Sequence, residues 1–187
     1  MKKIFAAILI IYLSMQTANA AGTIATYVID PEKNAYQHNN LGIMYVEERD
    51  YYAAIQEFKM AISLNPNTQA TATYFNNLGK VYITIGYPKL AQDCFQNALK
   101  QYPLNLEYYQ QLAKCYKQRG IAQAKLQEYK NKKKSSLDRV MLGLLYEQCG
   151  DVKKAIFVLD DFTSSEPDLL ITPAVKRYIQ VLVNSIM

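Results

Sequence analysis

Residues 40–66 read NLGIMYVEERDYYAAIQEFKMAISLNP, and residues 77–103 repeat the same order of features as NLGKVYITIGYPKLAQDCFQNALKQYP. Each copy begins with Asn-Leu-Gly, places a tyrosine three residues after the glycine, continues through a run containing alanine and phenylalanine, and ends at a proline. A unit of about 34 residues that returns in order indicates stacked helical hairpins, because one hairpin cannot bury its apolar face alone. The sequence therefore predicts an all-α solenoid.

Weaker copies of the unit follow the first two. The aligned leucines are Leu41, Leu78, Leu112 and Leu142, which lie 37, 34 and 30 residues apart. A glycine follows the leucine in the first, second and fourth copies, and within a helix it costs about 1 kcal/mol relative to alanine. We therefore expect Gly42 and Gly79 to lie where the two helices of a hairpin approach too closely for a side chain.

The small, aromatic and proline positions of these units resemble those of the tetratricopeptide repeat family over about residues 35–187. The resemblance implies a right-handed superhelical solenoid of helix–turn–helix hairpins. The predicted units cover residues 35–68, 72–105, 106–135 and 136–169. Thr172-Pro173 and the apolar stripe after it predict a capping helix over 173–186, which covers the end of the stack.

The third unit departs from the others. Ala113 replaces the glycine, Ala124 follows Gly120 by four residues where Ala91 follows Gly86 by five, and no proline closes the unit. We predict that its second helix is short or irregular. The lysines around 130–134 suit a solvated helix C-terminus, which favours cations, although they also suit an acidic partner or a membrane surface.

The first 34 residues differ from the repeats. Lys2-Lys3, the apolar run from Ile4 to Leu13 and the small-residue site Ala18-Asn19-Ala20 predict a signal peptide over 1–20, cleaved after Ala20. The run is about half the length needed to span a bilayer, so we expect no stable membrane insertion after cleavage. Residues 21–34 show little periodicity and predict an extended or disordered leader. The mature protein is expected to be periplasmic or secreted.

Charge and composition bear on the class of partner. Without the two signal-peptide lysines, 19 basic residues remain against 16 acidic ones, and they form no basic stripe with interleaved aromatics. We therefore expect no nucleic acid partner. The predicted partner is a protein or peptide.

The chain shows no constellation typical of catalysis. His38 is its one histidine, and we expect it to pack within the first hairpin; the alternative is a pocket with Asp30 or Glu32 in reach. No spacing suits a zinc site, a phosphate-binding loop or a serine nucleophile. The chain is predicted to be no enzyme and to need no cofactor or metal.

Three cysteines, Cys94, Cys115 and Cys149, leave at least one thiol free. Cys94 and Cys115 fall on helices expected to be adjacent, so they could form a disulfide. The alternative is that both pack as small apolar side chains.

The family resemblance also implies a concave groove, lined by the first helices of successive units, that holds extended peptides or helices. Alignment assigns the following residues to this groove: Tyr36, Asn39, Ile43, Thr73, Asn76, Lys80, Glu107, Gln110, Lys114 and Lys117. Amides can bond to the backbone of a peptide without reading its sequence, whereas lysines favour a carboxylate. The two-carboxylate clamp of chaperone-binding relatives is not reproduced, because Asn39 and Ile43 stand where it requires lysine and asparagine.

Two functions fit these observations. One is a non-catalytic interaction scaffold or adaptor in a bacterial-type cell envelope, binding a peptide or partner protein in its groove. The alternative is a structural or assembly subunit of a secretion or surface-organelle complex. Exposed aromatics mark interfaces, and Tyr51-Tyr52 and Tyr108-Tyr109 are candidates for that second function.

Overall fold

The computed structural model describes residues 30–131 and 135–186. These residues form nine helices and no strand: α1 (Pro31–Glu47), α2 (Tyr51–Leu64), α3 (Gln69–Thr84), α4 (Pro88–Gln101), α5 (Leu106–Gln118), α6 (Ala122–Asn131), α7 (Ser136–Gln148), α8 (Val152–Ser165) and α9 (Thr172–Asn184). Consecutive helices contact one another most extensively in the pairs α1–α2, α3–α4 and α7–α8. The predicted all-α helical-repeat solenoid is thus confirmed.

One apolar core continues along the stack from Ala54 on α2 to Leu182 on α9. Its largest fully buried side chains include Phe58, Phe95 and Phe162, which come from the second helices of hairpins one, two and four. Three of the four hairpins therefore contribute a phenylalanine ring from their second helix to a core that is shared with their neighbours.

Side-chain caps set the start of several helices. The Asp50 side chain accepts a bond from the Ala53 amide at the start of α2, and Ser135 forms a capping box with Asp138 at the start of α7. Such caps satisfy amides that have no partner within the helix. They fix where each helix leaves its turn.

The turn inside each hairpin has the same geometry in all four units. One residue in each turn has a positive φ: 64° at Arg49, 83° at Gly86, 71° at Gly120 and 90° at Gly150. In each case the following amide donates to the carbonyl of the repeat tyrosine, as from Asp50 N to Tyr45 O at 2.8 Å. This is the Schellman arrangement, for which glycine is the favoured residue.

The expected close approach at the repeat glycines is confirmed. A Cβ atom built on Gly42 would lie 2.6 Å from Cε1 of Phe58, and one built on Gly143 would lie 2.6 Å from Cγ of Leu159. Real Cβ atoms do not approach this closely, so the missing side chain allows the second helix of the hairpin to pack against the first.

The third hairpin is looser than the others. α6 has 10 described residues, against 14 in α2, α4 and α8, and only Ala122 and Leu126 on it are buried. It contacts α7 more than its own partner α5. The predicted shortening of this helix is in line with these bounds, although residues 132–134 lie outside the described part of the chain.

The structure bears out that Ala124 is one residue out of step with Ala91. The turn bonds of hairpin three match those of hairpin two, and they place Lys125 at the position of Ala91, with Lys125 N donating to Ile121 O at 3.0 Å. Ala124 is exposed. The Lys125 ammonium lies 5.6 Å from the centre of the Tyr116 ring, so a long side chain occupies the site where the other hairpins keep a buried alanine.

The prediction of an extended leader over 21–34 is wrong for its last four residues, because α1 begins at Pro31. Proline suits the first position of a helix, since its fixed φ is helical and its missing N–H needs no partner there. Residues 21–29 and the predicted signal peptide lie outside the described residues. In the described part of the chain, no helix combines the length and apolar character needed to span a bilayer.

Candidate partner-binding groove

The ten predicted groove residues lie on the first helices of hairpins one to three: α1, α3 and α5. Side-chain bonds join these helices across the predicted groove. Thr73 Oγ1 on α3 lies 3.1 Å from the Tyr108 hydroxyl on α5, and Asn77 Nδ2 on α3 donates to Asn39 Oδ1 on α1 at 2.9 Å. The three helices therefore present one connected polar row.

Two of the predicted asparagines are part of this framework and are not surface groups. Asn39 is 6% exposed and Asn76 is 2% exposed. Asn76 Nδ2 donates to Glu107 Oε1 at 3.3 Å, while its buried Oδ1 has no hydrogen-bond partner. Buried acceptors without a partner are costly, and this one lies beside the row of groove residues.

Lys80 forms an ion pair with Glu107 on the next first helix. Burial alone would raise the pKa of the Glu107 carboxyl. The bond to Lys80, the Lys80 charge and bonds from Asn76 and Gln111 outweigh burial and hold this pKa below its usual value of 4.5. The Lys80 cation is thus already matched by an acidic residue of the chain itself, a pairing that the sequence alignment did not predict.

A cavity of about 300 Å³ opens between α1 and α3, beside Lys80. Seven residues line it: Ile43, Val46, Phe58, Asn77, Lys80, Val81 and Thr84. Only Ile43 and Lys80 belong to the predicted set. Apolar side chains form most of the cavity wall, and Asn77 and Lys80 add one amide and one ammonium group. Pockets that bind an apolar group usually have this composition.

The far end of the row lies on α5. Lys114 and Lys117 are exposed, and neither of them has an ion pair within the described residues. Gln110 lies near the hydroxyl of Tyr178 on α9, which donates to Glu147 Oε2 on α7 at 2.7 Å. Burial, and then the Glu147 carboxylate, raise the pKa of Tyr178, and Gln110 partly opposes them. The Tyr178 hydroxyl therefore joins α9 to α7 beside this end of the row.

The remaining predicted residues, Tyr36 and Thr73, are exposed. Tyr36 extends from α1 with 61% of its surface accessible. Ile43 at the cavity, Lys114 and Lys117 are exposed as well, so exposed side chains of the predicted set lie on all three first helices. We call this surface, from Tyr36 and Ile43 to Lys114 and Lys117, the groove surface.

His38 packs within its own hairpin, as predicted, through a polar contact. Its Nδ1 lies 2.6 Å from Glu57 Oε2 on α2. The contact uses neither Asp30 nor Glu32, the carboxylates considered from the sequence. This partly buried contact between a histidine and a carboxylate joins the two helices of the hairpin.

All three cysteines are free, so Cys94 and Cys115 are not bridged. Both are buried, and the Cys115 thiol donates to the Pro88 carbonyl at 3.1 Å. This agrees with the packing alternative. Within the described residues, no three histidine, cysteine or acidic side chains converge as a metal site would require.

Comparisons with known proteins agree with the architecture. The profile of the tetratricopeptide repeat family matches residues 38–68, 72–103 and 139–169, which together exceed half of the chain. The third unit is the one without a match. No protein of curated function matches the chain significantly.

Solved structures give a likeness in fold. The pilF protein of Pseudomonas aeruginosa aligns with a TM-score of 0.50 at 18% identity, over 80% of this chain and 68% of that one. The MamA protein aligns at 0.49 and 20% identity, over 81% and 87% of the two chains. YrrB, described as a TPR protein with an unusual peptide-binding site, aligns at 0.46 and 21% identity, over 92% and 89%.

Proposed function

The chain belongs to the tetratricopeptide repeat family, and from that premise we propose that it is a non-catalytic scaffold that binds an extended segment of a partner protein on its groove surface. The observation that carries the proposal is the cavity between α1 and α3, whose lining includes the exposed Ile43. The exposed Lys114 lies on α5, the next first helix after α3. A scaffold of this family generally acts by holding a protein partner.

The arrangement suits a peptide with two features. An apolar side chain would fill the cavity against Ile43, Phe58 and Val81, where it would lose contact with water at a gain of about 25 cal/mol per Å². A carboxylate would pair with Lys114 or Lys117, because these cations have no acidic partner among the described residues, whereas Lys80 is already paired with Glu107.

Helix spacing sets the expected distance between the two features. Neighbouring packed helices lie about 8–10 Å apart, and an extended peptide advances about 3.3 Å per residue. A peptide that crosses from the cavity to α5 would therefore place its acidic residue about three or four positions from its apolar anchor, since α5 lies one helix beyond the cavity wall.

A peptide-display selection on the purified chain tests this proposal. We expect selected peptides to share an apolar residue and an acidic residue at that spacing. Their binding should be lost with Ile43→Glu and weakened with Lys114→Glu. The matched controls are Leu90→Glu and Lys89→Glu on α4, which alter exposed side chains of the same types outside the groove surface. The proposal that peptides bind in the groove would be contradicted if the control variants lost as much peptide binding, or if Ile43→Glu lost none.

We also propose that the scaffold acts in a bacterial-type cell envelope, in the periplasm or outside the cell. The support is the sequence of the first 20 residues, with its basic start, apolar run and Ala18-Asn19-Ala20 site. Fractionation and N-terminal sequencing of the native protein should find Ala21 as the first residue in the envelope fraction. A chain that retains Met1 in the cytoplasm would contradict this location.

The alternative, a structural or assembly subunit, has lost part of its support. Tyr108 and Tyr109, two of the aromatics on which it rested, are buried in the stack, with exposures of 3% and 6%. They pack between neighbouring hairpins and are unavailable to a partner. Tyr52, in contrast, is 72% exposed.

A further inference from the structure

The same repeat position carries three different side chains on successive first helices. Two residues after the aligned leucine stand Ile43 on α1, Lys80 on α3 and Lys114 on α5. Ile43 and Lys80 line the cavity, whereas Lys114 lies on the next first helix. The predicted groove thus presents an apolar side chain and then two cations at equivalent positions.

Glu107 makes the two cations different. It is the second residue of α5, and it pairs with Lys80 on the preceding first helix. The second residue of α7 is Leu137, which is partly buried against the core. Lys114 therefore has a leucine at the repeat position where Lys80 has its acidic partner.

The Glu107 carboxylate is held in place by its surroundings. Asn76 on α3 is 2% exposed and donates to Glu107 Oε1 at 3.3 Å. The Glu107 amide donates to Asn105 Oδ1 at 2.9 Å, which fixes the start of α5. Burial alone would raise the pKa of the carboxyl, but the interactions with Lys80 and Asn76 outweigh burial and keep it ionised at neutral pH. A fixed negative charge therefore lies beside the cavity that Lys80 lines.

From this arrangement we propose that Glu107 is a specificity-determining residue of the groove, which excludes peptides with an acidic residue beside the apolar anchor. The inference rests on the proposed peptide function and deepens it. An acidic residue at that place would have to displace Glu107 from Lys80 or lie next to its charge, and like charges across an interface repel. Repulsion of the wrong partner is a common source of specificity.

The exclusion also sets the register of the peptide. Without Glu107, the cations Lys80, Lys114 and Lys117 would offer an acidic residue alternative partners on two helices. With Glu107 present, Lys80 is matched, and the cations of α5 are the groove lysines that have no ion pair within the described residues. A peptide whose acidic residue lies three or four positions from its anchor therefore binds in one register.

Peptide-display selections on the unchanged chain and on the Glu107→Gln variant test the proposal, with one random-peptide library as the probe for both. Glutamine keeps the length of the side chain and an oxygen that can accept from Asn76, so the variant removes mainly the charge. We expect the unchanged chain to select peptides without acidic residues next to the anchor. The variant should select acidic residues there, because Lys80 is then free to pair with them.

A matched pair of peptides measures the size of the effect. The parent is the tightest peptide selected on the unchanged chain, and the second peptide has glutamate in place of the neutral residue next to the anchor. On the unchanged chain the glutamate peptide should bind about fivefold more weakly than the parent, as expected for partly exposed charges. On Glu107→Gln this ratio should fall to about twofold or less.

Glu128→Gln is the matched control. Glu128 lies on α6 and pairs with Lys125 at 2.7 Å, so it is also a paired carboxylate, but on a second helix and outside the groove surface. This variant should keep the discrimination of the unchanged chain. If it loses the discrimination as Glu107→Gln does, the effect belongs to the net charge of the protein, and the role of Glu107 is overturned.

The remaining outcomes separate this inference from the function on which it rests. Selected peptides that bind equally well to Ile43→Glu would overturn the groove and the role of Glu107 together. Peptides that depend on Ile43, but that the unchanged chain binds equally well with glutamate beside the anchor, would overturn the role of Glu107 alone. The same conclusion would follow if Glu107→Gln kept the full discrimination.

Discussion

Gly79 lies so close to Phe95 that a Cβ atom on the glycine would come within 2.5 Å of Cε1 of the ring. Phe95 is fully buried, and its ring fills the space that a side chain at Gly79 would need. The glycine on one helix and the phenylalanine on the other thus set how closely the helices of hairpin two pack. The same relationship joins Gly42 to Phe58.

Replacing Gly79 by alanine should therefore destabilise the protein. The substitution gains about 1 kcal/mol of helix propensity, but overpacking of a filled core costs typically about 1–3 kcal/mol. We expect a net loss of roughly 1 kcal/mol in the free energy of unfolding, measured by urea denaturation. In the Phe95→Ala background the loss should disappear, because the ring is gone; strictly additive effects would contradict the packing argument.

Arg49 offers a change in the opposite direction. It has a φ of 64°, in a turn whose equivalents in the other three hairpins are glycines. A left-handed conformation costs a residue with a side chain about 1 kcal/mol relative to glycine. Replacing Arg49 by glycine removes this cost from the folded state, but glycine also has greater freedom in the unfolded chain, which offsets part of the stabilisation. Arg49→Gly should raise the midpoint of thermal unfolding, while Gly86→Ala, the matched reverse change, should lower it. A lower midpoint for Arg49→Gly would be contrary to expectation.

The fold was predictable because its determinants are local and repeated. The tyrosine of each unit recurs four residues after the aligned leucine, and the structure shows that the tyrosine carbonyl closes the turn. Hairpin three shows the limit of this reasoning. The spacing showed that Ala124 is one residue out of step with Ala91, but the prediction named no residue for the alanine site, and the turn bonds place Lys125 there. An alanine can be exposed or buried, so its position in the sequence alone does not fix the register.

The groove was predictable only in outline. Alignment placed residues on the correct helices, since helix position follows from the repeat. It could not show that Asn39 and Asn76 are buried, or that Glu107 pairs with Lys80, because these contacts join residues that lie between 27 and 38 positions apart in the sequence. Phe58 is a buried core residue that also lines the cavity, and its place in the cavity wall depends on the gap between two hairpins.

The loose third hairpin should open before its neighbours. α6 buries only Ala122 and Leu126, whereas α4 buries four side chains. Regions with few buried contacts open locally at lower free energy than the core. Hydrogen exchange with mass spectrometry should therefore find faster exchange in residues 125–131 than in residues 91–101. Equal protection of the two segments would mean that the contacts of α6 with α7 suffice to hold it.

The Lys80–Glu107 pair should make stability depend on pH in the acidic range. The pKa of Glu107 is lowered in the folded state, so the ionised carboxylate stabilises the fold above the ordinary value of 4.5, and this contribution is lost as the pH falls through the lower folded value. Both side chains are 43% exposed, and pairs this exposed contribute at most about 1 kcal/mol. Glu107→Gln should therefore be slightly less stable than the unchanged chain at pH 7 and equal to it near pH 3.

A double-mutant comparison isolates that pair. In the Lys80→Gln background, Glu107→Gln should change stability by much less at pH 7, and 0.5 M salt should reduce the effect in the unchanged background because exposed charges are screened. Urea denaturation at both pH values measures all four chains. A stability difference that persists at pH 3 would assign the effect to the bonds from Asn76 and Gln111 instead of to the carboxylate charge.

The three thiols should differ in reactivity, which also tests whether any of them is bridged. Burial, assisted by the neighbouring Asp93 charge, raises the pKa of Cys94 to about 12, and burial also raises the pKa of Cys115. The thiolate is the reactive form, so iodoacetamide at pH 8 should label the partly exposed Cys149 first and leave the other two largely unlabelled. After unfolding in urea without reductant, mass spectrometry should find all three labelled; a chain with Cys94 and Cys115 still unlabelled would contain the disulfide that the structure excludes.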